Sequence, residues 1–475
     1  MSKTKKDRKR FQLPHTLVLI FILVILMYGL SWIIPSGEFN RTQKSVEGQV
    51  RTVTEPGTFH YISKKHVNPG SILIAPIEGF KEGVLIIAFL FVIGGAFAVI
   101  QKTGTIDMAI KKMAQAFSHH PKYQKFIIPV LMAVFSLGGA IFGMSEETIP
   151  FILVFIPLAL SLGYDSLVGV SIPFLGAAAG FAAAFFNPFT VGIAQGLSDL
   201  PLYSGLPYRF IVWIISTSIV IFMVMVYAKK VKANPKLSPV YEIDRKRLSL
   251  SSQDDIDVSK WNWRNRAVLE VFVGGIIILI AGILLQNWYI KSIAAVFFGM
   301  GIFSGLVAKT PPSDMARSFV QGAKDMMNVA LIISCARAIL IIAQEGMILD
   351  TLLFYASEFI AFFPKIIAAQ MMFITQSIIN FFIHSGTAQA ALTMPIMAPL
   401  SDLVGITRQT TVLAFQLCEF VIPILPTSAV TMGVLGVAKI PWEKWAKWFL
   451  PMMLVLIILS LLLLIPPVLS NWGPF

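Results

Sequence analysis

Long apolar stretches alternate with short polar segments along the whole chain. A helix needs about 20 apolar residues to cross the hydrocarbon core of a bilayer. Stretches that meet this length lie at 13–34, 82–101, 166–197, 207–228, 267–286, 290–308, 324–343, 410–436 and 444–468. The pattern therefore predicts an all-α polytopic membrane protein with about nine crossings.

Two further apolar stretches, 126–163 and 366–405, are too long for one crossing, and polar residues interrupt each near its middle. We interpret them as re-entrant hairpins that enter and leave on the same side of the membrane. Proline interrupts the spans 166–197 and 410–436, at Pro188 and Pro426. Because proline lacks an N–H group, these spans are predicted to be broken helices.

The basic residues predict the orientation of the chain. The net charge is +13, and most of the Lys and Arg residues lie in segments that this topology places in the cytoplasm, among them "MSKTKKDRKR" and the linker 229–266. This bias predicts a cytoplasmic N-terminus and an extracytoplasmic C-terminus, so nucleic-acid binding is not needed to explain the charge. We interpret 229–266 as a flexible linker and Arg337 as the one basic residue inside a span. The two cysteines indicate neither a disulfide nor a metal site.

The chain contains an internal repeat. "GFKEGVLII" at 79–87 resembles "GAKDMMNVALII" at 322–333, and "MSEET" at 144–148 falls opposite "HSGTA" at 384–388. The two copies begin on opposite sides of the membrane in this topology. An inverted repeat with broken helices is the usual architecture of secondary transporters, which hold substrate near the bilayer midplane.

The repeat defines the expected domain organisation. The basic N-terminus and first span form 1–34, and an extracytoplasmic loop forms 35–81. The first repeat is 82–228, the linker is 229–266, two scaffold spans form 267–308, and the second repeat is 309–475. Equal separations link Ser145 to Asn187 and Ser385 to Thr427, so each hairpin tip should meet the break in its own repeat.

Two adjacent acids, Glu146 and Glu147, lie at the first predicted tip. A charged side chain at the bilayer centre costs about 2.5–3.5 kcal/mol on insertion scales. Such acids usually belong to a substrate, ion or proton pathway. The alternative is that water solvates the tip, or that one glutamate caps the returning half-helix.

Five segments carry a resemblance to a known family: "WIIPSGEFNR", "PGTFHY", "FSLGGAIFGMSEETIPF", "LGYDSLVGV" and "NPFTVGIAQ". They closely resemble the YfcC-like family of basic amino-acid antiporters, grouped with the anaerobic four-carbon dicarboxylate carriers. The resemblance covers essentially the whole chain. It implies the ion transporter superfamily, whose members are dimers that move a transport domain against a scaffold like an elevator. It also implies a substrate site at two tips with a Ser-Asn-Thr motif.

This sequence departs from that motif, with Ser-Glu-Glu-Thr at 145–148 and Ser-Gly-Thr at 385–387. The tip Asn that binds sodium in relatives is absent, so coupling to protons or to sodium stays open. The predicted substrate-binding residues are Ser145, Glu146, Glu147, Thr148, Asn187, Thr190, Ser385, Gly386, Thr387, Gln389, Thr427 and Ser428. The predicted supporting residues are Arg337, Glu419 and His384. Arg337 pairs with a carboxylate such as Glu419, caps the C-terminal carbonyl groups of a hairpin, or binds a substrate carboxylate.

These features favour a secondary active transporter of amino acids, with basic amino acids (arginine, ornithine or lysine) as the substrates that suit the glutamates. The alternative is a carrier of dicarboxylates or other organic anions. An intramembrane enzyme is a remote alternative, because the sequence offers no nucleophile, metal site or paired catalytic residues. We expect no cofactor, membrane lipids as partners, a homodimer, and a location in a bacterial inner membrane.

Overall fold

The computed structural model describes residues 16–46, 49–106, 108–109, 112, 121–253, 261–286, 288 and 290–473. The basic N-terminal segment 1–10, on which part of the predicted orientation depends, lies outside the described residues. So do parts of the two predicted cytoplasmic segments 102–125 and 229–266. Within the described part of the chain, seven helical stretches are long and apolar enough to cross a membrane: Thr16–Ile33, Ser71–Lys102, Leu206–Ala233, Ile290–Val307, Pro312–Glu345, Arg408–Val437 and Trp442–Leu469.

A first bundle forms around Ser71–Lys102. Its members are α1 (Thr16–Ile33), α2 (Ser71–Lys102), α9 (Trp263–Gln286), α10 (Ile290–Val307), α11 (Pro312–Asp325) and α12 (Met327–Glu345). At the crossing of α2 with α11, Gly94 and Gly322 face each other and leave no room for a side chain. Small residues allow such close backbone approach between membrane helices. This bundle therefore brings together the segments 79–87 and 322–333, which resemble each other in the two sequence repeats.

A second bundle, which we call the hairpin bundle, holds the remaining long helices. It contains α3 (Pro121–Phe142), α4 (Ile149–Ser161), α5 (Ser166–Ala182), α6 (Ile193–Leu197), α7 (Leu206–Ala233), α14 (Lys365–Asn380), α15 (Gly386–Leu403), α16 (Arg408–Leu417), α17 (Ala429–Val437), α18 (Trp442–Leu463) and α19 (Ile465–Leu469). The helices of the predicted spans 207–228 and 444–468 belong to this bundle, because α7 packs on α3 and α5, and α18 packs on the segment 418–424.

Each stretch expected to form a hairpin contains two helices joined by a short turn. The first is α3 and α4, with the 3₁₀ turn Glu146–Thr148 between them. The second is α14 and α15. Each broken span contains an interruption: α5 ends at Ala182 and a π-helical turn begins at Pro188, while the 3₁₀ segment Cys418–Ile424 separates α16 from α17.

The predicted loop 35–81 is shorter than expected and contains β-structure. Helix α2 begins at Ser71. Four short strands precede it: β1 (Gly37–Glu38), β2 (Arg41–Val46), β3 (Gln49–Thr54) and β4 (His60–Tyr61), with β1 paired to β4 and β2 paired to β3, all antiparallel. Val53 is buried in an apolar cluster with residues of the hairpin bundle. The hydropathy pattern could not reveal these strands, because their sequence is polar.

The described part of the linker 229–266 is not an extended flexible segment. It contains α8 (Tyr241–Gln253), and Asp244 accepts a hydrogen bond from the backbone N of Ser166 over 2.9 Å. Arg247 donates to the carbonyl oxygen of Ala438. Burial of its carboxyl group raises the pKa of Asp244. The helix α8 is thus attached to the ends of both broken spans. A 3₁₀ turn, Pro235–Leu237, precedes α8, and a short helix, α13 (Leu349–Ile360), follows α12.

Candidate substrate site

The first hairpin tip is held by hydrogen bonds within its own turn. The carboxylate of Glu147 accepts from the backbone N of Ser145 over 2.8 Å, and the Thr148 hydroxyl donates to the Ser145 carbonyl over 2.6 Å. Glu147 and Thr148 are buried, whereas Ser145 and Glu146 are partly exposed. Glu147 therefore stabilises the turn directly, through its contact with the backbone of Ser145.

The first break lies against this tip. Asn187 is fully buried, and its side-chain oxygen accepts from the backbone N of Phe189 over 2.9 Å. This contact, with Pro188 in the first position, restarts the helix after the break. A side chain added at Gly143 would meet the Asn187 oxygen at 2.7 Å, so tip and break are in direct contact. The side-chain nitrogen of Asn187 has no hydrogen-bond partner among the described residues.

The second tip meets the second break in the same way. His384 lies 2.6 Å from the Thr427 hydroxyl, measured from its Nε2 atom. Ser385 accepts from the backbone N of Ala388 and so caps α15. Ser428 caps α17 by accepting from the backbone N of Thr431. Ser385 is exposed, whereas Thr427 and Ser428 are buried.

The second tip also contacts the first break. The Thr387 hydroxyl donates to the Phe189 carbonyl over 2.9 Å. A side chain added at Gly386 would meet the methyl group of Thr190 at 2.5 Å and Oε1 of Glu419 at 3.3 Å. The two halves of the chain therefore meet at Gly386, with polar groups from the second tip, the first break and the segment 418–424.

Gln389 lies farther inside the second hairpin than the other predicted site residues. It is fully buried in α15, and its Nε2 donates to the carbonyl oxygen of Gln376 over 2.9 Å and to the Gln376 side chain over 2.8 Å. Gln376, on α14, is one residue that sequence reasoning did not single out. These contacts join the two helices of the hairpin.

Arg337 does not pair with Glu419. Its Nη1 lies 3.9 Å from the carboxylate of Glu82 on α2, and both side chains are partly exposed. Its Nε is buried and has no hydrogen-bond partner among the described residues. The positive charge of Arg337 also acts on Glu146 and on His384. Arg337 therefore lies on the first bundle at a position from which its charge reaches both tips.

Arg209 was missed as a residue inside a span. It is fully buried in the first turn of α7, and none of its guanidinium nitrogens has a hydrogen-bond partner among the described residues. The ring of Trp472 lies 5.7 Å from its guanidinium carbon, within the range of a cation–π contact. Its position near the start of the predicted span 207–228 resembles that of an exposed interfacial arginine, so only tertiary contacts reveal its burial.

One cavity is lined by none of these polar site residues. It has a volume of about 520 Å³ between α14, α18 and the segment 418–424, and its lining is almost entirely apolar. An apolar groove of this kind suits lipid chains better than a charged solute. The polar meeting point of the tips and breaks remains the candidate substrate site.

Comparison with known proteins identifies the family of the chain. Residues 13–468 match the family model described as DcuC, the C4-dicarboxylate anaerobic carrier. The chain is 37% identical over 471 residues to the Escherichia coli (strain K12) protein YfcC, and the alignment covers 92% of each chain. YfcC is named as a basic amino acid antiporter on a provisional basis. It is 28% identical over 501 residues to a Haemophilus influenzae protein, covering 97% of this chain and 98% of the other.

Solved structures offer a weaker likeness. The Alcanivorax borkumensis YdaH transporter aligns over 97% of this chain and 100% of its own, with a TM-score of 0.42 and 14% identity. Structural similarity at this level supports no conclusion about this chain. The family match and the 37% identical relative, together with the apolar helices, do support a conclusion. The chain is a multi-pass membrane transporter that belongs to the DcuC family of C4-dicarboxylate anaerobic carriers.

Proposed function

We propose that this protein is a secondary active transporter of basic amino acids, working by antiport or ion-coupled symport. The observation that carries the proposal is that both tips contact the first break, the second tip at Gly386 and Thr387 and the first tip at Gly143, with acidic side chains around this meeting point. Substrate would bind there, between the two halves of the chain, as expected for a carrier built from an inverted repeat.

The charges favour a cationic group on the substrate. The acidic side chains at or beside the tips are Glu82, Glu146, Glu147 and Glu419, and the basic ones are Arg337 and His384. A basic amino acid can place its cationic end toward Glu146. Its carboxylate can then lie at the N-terminus of α15, where backbone N–H groups and the helix dipole favour an anion. The names of the Escherichia coli relative and of a more distant Bacillus subtilis relative, YuiF, both point to amino acids.

We propose an elevator movement for the transport step. The division into a first bundle and a hairpin bundle supports it, because both tips and both breaks belong to the same bundle. The hairpin bundle would move, and the first bundle would remain fixed and form the interface of a homodimer. We place the protein in a bacterial inner membrane with its N-terminus in the cytoplasm.

A dicarboxylate substrate is the second candidate. The family description names C4-dicarboxylates, and Arg337 has a buried Nε without a hydrogen-bond partner among the described residues. Arg337 could therefore bind a substrate carboxylate. This alternative requires Glu146 to be protonated or turned away, because a dianion beside an ionised carboxylate in a site of low dielectric is strongly disfavoured.

Counterflow into proteoliposomes tests the two candidates. Vesicles loaded with unlabelled arginine should accumulate labelled arginine, and vesicles loaded with succinate should not accumulate labelled succinate. The measurement should extend from about pH 5.5 to 8, since a proton-dependent dicarboxylate carrier would work best at the acid end. Rapid succinate counterflow without arginine counterflow would overturn the proposal.

A further inference from the structure

The cavity between α14, α18 and the segment 418–424, which we call the apolar groove, offers nothing to a polar solute. No charged side chain is among its lining residues in the described part of the chain. Ser377 supplies a hydroxyl group to the lining, and this group already donates to the carbonyl oxygen of Phe373 over 2.8 Å. Burying a charged or polar group without a partner costs free energy, so the occupant of this groove has to be a hydrocarbon.

The apolar groove lies at the depth of the hydrocarbon core. Met453 and Ile457 line it from α18, and they lie near the middle of Trp442–Leu469, a stretch long enough to cross a membrane. On the wall formed by α14, Ile378 is 59% exposed, so the groove adjoins a surface that the acyl chains of the bilayer contact. Apolar cavities in proteins stay free of water and take up apolar ligands. The bilayer is therefore the nearest source of an occupant.

The volume of the apolar groove matches a single acyl chain. An engineered apolar cavity of about 150 Å³ in another protein holds one benzene molecule. In proportion, the groove volume of about 520 Å³ holds on the order of 20 carbon atoms. This is the size of one phospholipid acyl chain, so the rest of the phospholipid would remain in the surrounding bilayer.

We propose that the apolar groove binds one acyl chain of a membrane phospholipid. Lining atoms that face empty space lose their van der Waals contacts, and a chain from the bilayer restores these contacts without burying a charge. The phospholipid keeps its head group at the membrane surface, because only the chain enters the groove. An amino acid would instead bring two charged groups into a lining that has no partner for them.

The apolar groove lies directly behind the second half of the candidate substrate site. Phe381 and Phe382 line it immediately before the second tip, and Ile424 and Leu425 line it immediately before Pro426 of the second break. A bound chain would therefore pack against both segments and limit their motion. Because all its walls belong to the hairpin bundle, the lipid would travel with that bundle. This effect on transport rests on the proposed function, whereas binding of the chain does not.

The test uses the purified full-length protein in detergent without substrate, and native mass spectrometry measures the phospholipid that stays bound through washing. Ile457→Trp fills the groove from α18. Ile458→Trp is the matched control, because Ile458 is 58% exposed and lies outside the lining. Wild type and control should retain one phospholipid per protomer, and Ile457→Trp should retain about tenfold less, since the larger ring occupies the space of the chain.

Thermal unfolding gives a second measurement on the same three proteins. After the lipid has been removed, added dioleoyl phosphatidylethanolamine should raise the unfolding midpoint of the wild type and of Ile458→Trp. A ligand that binds only the folded state stabilises it by mass action. The midpoint of Ile457→Trp should not respond, because its groove is already filled.

A wild-type protein that retains no phospholipid would overturn the proposal, as would an Ile457→Trp variant that retains as much as the wild type. Stabilisation by oleic acid without stabilisation by the phospholipid would also overturn it and would identify a fatty-acid site. If Ile457→Trp does not fold, Ser377→Phe, which fills the groove from α14, decides the outcome. Failure of arginine counterflow with intact lipid retention would reject the proposed substrate and leave the lipid site standing.

Discussion

Glu147, Asn187, Ser385 and Ser428 each use a side-chain oxygen to accept a hydrogen bond from a nearby backbone N–H group. These contacts stabilise turns and helix starts that would otherwise expose unpaired donors. Glu146 and Thr387 differ from them. Glu146 is partly exposed at the tip, and Thr387 donates across the junction between the two halves. Glu146 and Thr387 are therefore better candidates than the capping residues for direct roles in binding and movement.

The two tip glutamates should therefore respond differently to substitution. Glu146→Gln removes a charge but keeps the shape of the side chain and an acceptor oxygen, so the purified protein should fold while arginine affinity falls by about tenfold or more. A loss of about 1.4 kcal/mol of binding free energy corresponds to that factor. Glu147→Ala removes the cap on Ser145 and should lower the thermal unfolding midpoint. Ligand-dependent thermal shift measures both effects, and unchanged arginine affinity in Glu146→Gln would contradict the assigned role.

Thr387→Val tests the hydrogen bond between the second tip and the first break. The variant keeps the shape of the side chain but loses the donor to the Phe189 carbonyl. A neutral hydrogen bond contributes about 0.5–1.5 kcal/mol, so we expect substrate affinity to fall by up to about tenfold. Thr387→Ser is the matched control, because it keeps the hydroxyl. Equal affinities in the two variants would show that the bond has no part in binding.

At the scale of elements, the β2–β3 hairpin is attached to the hairpin bundle by charge as well as by Val53. Lys44 of β2 lies 2.7 Å from Asp199, and Arg408 at the start of α16 lies 3.1 Å from the same carboxylate. The hydrogen bond from Lys44, together with that from Arg408, lowers the pKa of Asp199. The β2–β3 hairpin follows α1 of the first bundle in sequence. These contacts hold it on the surface of the hairpin bundle.

This attachment should weaken in acid. An aspartate with a lowered pKa in the folded state contributes stability above its unfolded pKa, near 4, and loses it as the pH falls through the folded pKa. Asp199 is well exposed, so its contribution should be at most about 1 kcal/mol. Proteolysis within residues 41–54 should therefore accelerate below about pH 4. Asp199→Asn should show the faster rate already at neutral pH, and an unchanged rate there would refute the role of this ion pair.

At the scale of the whole molecule, the two bundles touch at the first tip. The 3₁₀ turn Glu146–Thr148 packs against α10 of the first bundle. An elevator movement must separate these elements or slide one past the other. The bundles also touch where Gly436 of α17 faces Val329 of α12, and neither residue has an assigned role in binding. A Val329→Cys, Gly436→Cys crosslink should therefore arrest transport when oxidised, and reduction should restore it. Cys335 and Cys418 should first be replaced by serine.

A matched control for the crosslink lies within the hairpin bundle. The hydroxyl oxygens of Ser136 on α3 and Thr217 on α7 are 2.7 Å apart, and these helices would move together. A Ser136→Cys, Thr217→Cys crosslink should leave counterflow intact. If the Val329→Cys, Gly436→Cys crosslink also leaves counterflow intact, the elevator movement is wrong and a rocking movement becomes preferable.

The sequence by itself determined the class of the protein and the places where its helices break. Hydropathy identifies membrane helices because the backbone must satisfy its own hydrogen bonds in lipid, which leaves long apolar helices as the solution. Pro188 and Pro426 mark the interruptions, since proline cannot donate the helical hydrogen bond. The motifs around Glu146 and Asn187 were distinctive enough to identify the family, which the comparisons support.

Only the tertiary structure decided which charged and polar groups meet. Arg337 pairs with Glu82 rather than Glu419, Arg209 is buried beside Trp472, and Glu419 is buried with no hydrogen-bond partner among the described residues. No hydropathy pattern could show these contacts, because helix faces turned toward lipid and toward protein are equally apolar. For the same reason α7 and α18 could not be assigned to a bundle from sequence. Their partners depend on the shapes and small residues of facing surfaces, which exist only once the helices have packed.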